Sequence, residues 1–142
     1  GPEKTKNMVN ILQRWQAIER QAINDSTEIM EQTRSPLIRM IMAIIQHDSV
    51  IHHRVQQFLI DSVTREAVTV TREDVAEIWD KLEAHDAVEK KTIELAKELR
   101  EQAWSPVHKQ LLDYLIQDES KHDTLIEQLG ALKQGMDGSS GG

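Results

Sequence analysis

The sequence predicts an all-α fold: a four-helix bundle built from two duplicated helical hairpins, with a long crossover between helices 2 and 3. Three observations carry that expectation. Apolar residues recur at three- and four-residue steps along almost the whole chain, which is the period of a helix face. Two Ser-Pro steps, Ser35-Pro36 and Ser105-Pro106, stand at equivalent places 70 residues apart. At that same offset "IERQAINDSTEIMEQTRSPL" falls on "VEKKTIELAKELREQAWSPV".

The elements follow in order. The first helix is expected over about 5–32 and closes at the first Ser-Pro step. Serine caps a helix N-terminus and proline suits the first helical position, so the second helix starts at 36 and runs to about 62. The stretch "SVTREAVTVT" at 62–71 is a connection. Ten extended residues reach roughly 33–36 Å, close to the length of a helix, which favours a crossover. Thr71-Arg72-Glu73-Asp74 has the form of a capping box with Asp in the acidic place, so the third helix is expected over 72–103. The second Ser-Pro step opens the fourth, over 106–133. Residues 5–133 then form the bundle. Residues 1–4, with a leading Gly-Pro, and 134–142, ending "GMDGSSGG", read as flexible termini and linker.

The repeat extends through the second helix of each half. Between residues 19–59 and 89–129, ten positions coincide, among them Glu19 with Glu89, Asp48 with Asp118 and His52 with His122. A duplication is the reading of that pattern.

Composition narrows the function. The net charge is −7, which argues against nucleic acid or an anionic membrane as the main partner. No cysteine is present, which removes disulfides, thiolate metal sites and thiol nucleophiles. No apolar run nears the roughly 20 residues of a membrane span. A cytoplasmic location is expected. No glycine-rich phosphate loop or nucleophile elbow is present.

Each helix carries polar residues midway along its apolar line. On the first the line runs Leu12, Trp15, Glu19, Ala22, and on the second Ile45, Ser49, His52, Gln56. On the third it runs Leu82, His85, Glu89, Thr92, and on the fourth Leu115, Glu119, His122, Ile126. At ~1.5 Å per residue these polar sets lie roughly 21–26 Å from their turns, all at one level. Three carboxylates in a dry core cannot all stay charged without compensation. A divalent cation supplies it, and Glu with His suits iron, manganese or zinc. Glu119-x-x-His122 places both groups on one helical face. Asp118, just before the Glu, is expected to point to the neighbouring helix and to hold a ligating histidine, and Asp48 repeats it.

A Glu on helices 1 and 3, Glu-x-x-His in the second helix of a half and a long crossover resemble the ferritin-like di-iron carboxylate proteins, rubrerythrins included. The resemblance covers residues ~8–133. It implies Glu19 and Glu89 as terminal carboxylate ligands, Glu119 as a bridging carboxylate, and His52 and His122 as histidine ligands. Asp48 and Asp118 match the acids often found beside the motif. One departure stands out: the family's helix 2 Glu is Ser49 here. His85, one turn before Glu89, is a further candidate ligand.

Two functions stay open. One is a ferritin-like protein binding iron, mono- or dinuclear, with oxidase- or peroxidase-type chemistry as the family implies. The other is a metal-free bundle serving as an oligomerisation or interaction module. A homodimer is expected of either. His47, His53 and His108 fall off the seams and read as surface residues, and Trp15, Trp79 and Trp104 as packing residues.

Overall fold

The computed structural model describes residues 1–141, with side chains through residue 135. Four helices are present among the described residues, and no strand: α1 (Pro2–Gln32), α2 (Pro36–Thr64), α3 (Arg72–Gln102) and α4 (Pro106–Gly141). The starts at 36, 72 and 106 are those expected. Helix α4 continues past residue 133, where a flexible tail was expected.

The local chemistry explains the starts. Ser35 accepts a hydrogen bond from the Ile38 amide, with Pro36 in the first turn. The Ser105 hydroxyl accepts from the His108 amide at 3.4 Å. Thr71 and Asp74 form the full reciprocal box, each side chain accepting from the other's amide, at 3.1 and 3.0 Å. These bonds satisfy amides that a helix start otherwise leaves unpaired. The bond from Thr71 holds the Asp74 carboxyl below the usual carboxylate range.

The chain divides into two compact units, residues 1–69 and 70–142. Each is a helical hairpin, α1 against α2 and α3 against α4. Turns of three residues force adjacent helices antiparallel. In the first hairpin the Arg39 guanidinium closes the turn, donating to the Thr33 carbonyl at 2.9 Å. In the second, Arg100 grips Asp113 with both arms of its fork, holding the Asp113 carboxyl below its ordinary range. Such paired contacts fix orientation as well as adding energy.

Helix α2 runs to Thr64, so the connection to α3 is residues 65–71. The connection is therefore shorter than the ten residues expected, because the end of "SVT" stays helical.

Burial inside each hairpin is more polar than the apolar lines led us to expect. Leu12 and Ile60 are the buried apolar residues of the first hairpin, against buried Gln16, Glu19, Ser26, Ser49 and Gln56. The second buries Val75, Leu112 and Glu89. Within a hairpin each helix covers only the strip of its partner that faces it. Trp15 is 51% exposed and Trp104 87%, so neither is the packing residue its type implied. Trp79 does pack: its indole N–H donates to Glu83 at 2.7 Å and its ring lies over Gly130.

Candidate metal centre in the second hairpin

Glu89 is on α3, and Glu119 and His122 are on α4. The three-residue step from Glu119 to His122 keeps both on the face turned toward α3. Their ligating atoms and that of Glu89 all lie within 4.8 Å of one another. Nδ1 of His122 stands 3.5 Å from Oε2 of Glu89 and 3.6 Å from Oε2 of Glu119. Two donors bound at 2.0–2.2 Å to one tetrahedral metal are about 3.4 Å apart, so the spacing fits a metal. The Glu89 side chain is 10% exposed, and its Oε2 has no hydrogen-bond partner. A buried carboxylate oxygen without a donor is costly, and a cation at this point would relieve it. Glu with His is a donor set for iron, manganese or zinc.

The surrounding residues take definite places. The other ring nitrogen of His122, Nε2, is 3.6 Å from Asp118. Asp118 thus turns to the histidine of its own helix, where a partner on the neighbouring helix was expected, and Lys121 covers its other side at 3.1 Å. An acid at the second nitrogen of a ligating histidine fixes its tautomer and orientation. His85 lies 2.8 Å from Oε1 of Glu89, the oxygen not turned to His122.

The first hairpin gathers less. Nδ1 of His52 is 3.4 Å from Oε2 of Glu19. Glu19 is as buried as Glu89, and its Oε2 likewise has no hydrogen-bond partner. Ser49 is buried one turn before His52, and brings a hydroxyl where Glu119 brings a carboxylate. Asp48 is half-buried. Of the candidates, then, Glu89, Glu119 and His122 converge, and Glu19 meets His52 separately.

Sequence reasoning passed over a second group of charges beside the site. Asp86 on α3 and Asp123 on α4 interact as a pair of carboxyl groups, the Oδ1 of each buried without a hydrogen-bond partner, and Lys90 reaches Asp86 at 3.3 Å. Their interaction raises the Asp123 carboxyl above its usual range and lowers that of Asp86, with Lys90 helping the latter. The Asp86–Lys90 spacing of four was a readable signal; the contact across to α4 was not. His53, expected on the surface, is half-buried and 3.2 Å from Arg20.

Set against known proteins, the chain matches no family model, no curated protein and no solved structure.

Proposed function

We propose that this protein is a metal-binding helical protein of the ferritin-like kind, with Glu89, Glu119 and His122 holding a divalent transition metal. Iron is the first candidate, with manganese or zinc as alternatives. The observation that carries the reading is the buried, partnerless Oε2 of Glu89 facing Nδ1 of His122 at 3.5 Å. Glu19 and His52 form a weaker pair, short of one carboxylate at Ser49. The duplicated bundle, its crossover, a homodimer and a cytoplasmic location belong to the same reading, and the crossover rests on sequence pattern alone. No described helix is long and apolar enough to cross a membrane. Iron with open coordination positions would support oxidase- or peroxidase-type oxidation.

The second reading is a metal-free interaction module. Large exposed apolar residues in each hairpin, Ile18 in the first and Val88, Leu95 and Leu125 in the second, favour it, because uncovered apolar surface is what a partner would bury. An anaerobic ferrous-iron titration of chelator-stripped protein, followed by air and absorbance, separates the two. Bound iron that develops an oxo-ferric band supports a dinuclear oxidising site. A single equivalent without that band supports a mononuclear site in the second hairpin. No binding of iron, manganese or zinc leaves the interaction module.

A further inference from the structure

We propose that His85 is a positioning residue for this site: its Nε2–H holds Oε1 of Glu89 and so turns Oε2 toward Glu119 and His122. The inference rests on the metal-binding reading above and assigns His85 a role other than ligand.

The geometry separates the two oxygens of one carboxylate. Oε1 faces Nε2 of His85 at 2.8 Å, a hydrogen-bonding distance. Oε2 faces Nδ1 of His122 at 3.5 Å and has no donor of its own. His85 and Glu89 are four residues apart on α3, so the helix itself sets their approach. The imidazole is 59% exposed, while the carboxylate is 10% exposed. The donor therefore stands on the solvent side and the acceptor inside. A flexible glutamate loses rotamer freedom when it is held in one orientation. A hydrogen bond to a charged carboxylate is among the stronger kinds and makes that loss in advance of metal binding.

This arrangement has a consequence for the metal. With Oε1 turned to His85, Glu89 is biased to offer Oε2 alone, because chelation by both oxygens would have to compete with the imidazole for Oε1. Three single-atom donors, Glu89, Glu119 and His122, leave open positions on a tetrahedral or octahedral ion. Without the donor, Glu89 is free to rotate or to chelate. Four residues before Glu19 the chain has Trp15, half exposed, so the first hairpin has no imidazole in this place.

The test uses cobalt(II) as the probe on the full chain, with affinity from calorimetry and coordination from the visible absorption. Four proteins are compared: wild type, His85→Leu, His85→Gln and His122→Ala. The glutamine amide carries an N–H near the position of Nε2. His85→Leu is expected to weaken cobalt binding about 10–100-fold, the usual cost of losing a group that orients a ligand. His85→Gln should recover most of that affinity with the wild-type absorption band, and the metal-free melting temperatures should agree. If His85→Gln binds as weakly as His85→Leu and its band shifts, His85 is a ligand and the inference is overturned. If His85→Leu binds like wild type while His122→Ala does not, the site stands and His85 plays no part. If wild type itself binds no cobalt, the metal-binding reading falls, and the inference with it.

Discussion

The two hairpins place the same kinds of residue at the same offsets and arrive at different interiors. In the first, Glu19 meets only His52, beside the hydroxyl of Ser49. Its other buried polar groups are neutral, and Gln16 spans the hairpin by donating to Gln57 at 3.0 Å. In the second, Glu89 meets His85, His122 and Glu119, with Asp86, Asp123 and Lys90 alongside. The neutral seam is served by amides and hydroxyls, which need no counter-charge. The ionic seam gathers acids faster than bases and asks for a cation. At the metal candidate itself the difference is one carboxylate, Glu119 standing where the first hairpin has the hydroxyl of Ser49.

The comparison can be broken most directly by removing ligands. His122→Ala should cut metal affinity by more than the roughly 10–100-fold typical of a supporting residue, while His52→Ala leaves the tightest binding unchanged; calorimetry with ferrous iron measures both. A tight site surviving His122→Ala would place the metal elsewhere.

Next in size is the exchange at the differing position. Ser49→Glu should add a second class of bound metal in the first hairpin, read as increased stoichiometry. Glu119→Ser should abolish the original one. If Ser49→Glu binds nothing more, Ser49 is not what separates the hairpins.

Metal removal gives a stability effect. At metal concentrations about 100 times Kd, binding to the folded state alone adds about 2.7 kcal/mol. Hydrogen exchange should locate that protection in α3 and α4, with α1 and α2 unaffected.

A smaller effect is expected at Gly130. A methyl there would lie 2.8 Å from the Trp79 ring, and the indole is tied to Glu83. Overpacking costs about 1–3 kcal/mol and the better helix propensity of alanine returns about 1. Gly130→Ala should therefore lose about 1 kcal/mol in urea unfolding. A gain would mean the ring yields freely.

The smallest is acid sensitivity. Asp74 and Asp113 both have lowered folded-state values, from the Thr71 and Arg100 hydrogen bonds. Their contribution is complete above the ordinary carboxylate value and is lost as pH falls through the lowered one. Urea midpoints between neutral pH and about pH 3 should therefore fall. Asp74→Asn combined with Asp113→Asn should flatten part of that slope.

Much of this was legible in advance because it is local. A Ser-Pro step or a Thr-x-x-Asp box works within one turn of backbone, so the helix starts at 36, 72 and 106 could be read from residues side by side. The inward facing of Glu89 and Glu119 followed from helical period. What escaped was anything set by two elements at once. Asp118 was expected to reach another helix and instead turns to His122 and Lys121 beside it. Trp15 and Trp104 were expected to pack and stand exposed. The Asp86–Asp123 pairing brings together residues 37 apart, which no periodicity announces.

The sequence by itself therefore determined four helices, most of their boundaries and the inward-facing polar positions within each hairpin, since capping and periodicity act over a few neighbouring residues. Only the tertiary structure decided that His85 takes one oxygen of Glu89 and His122 faces the other. Which atom of a side chain meets which depends on its rotamer. A rotamer in a packed hairpin is chosen by groups on the facing helix as well as by its own.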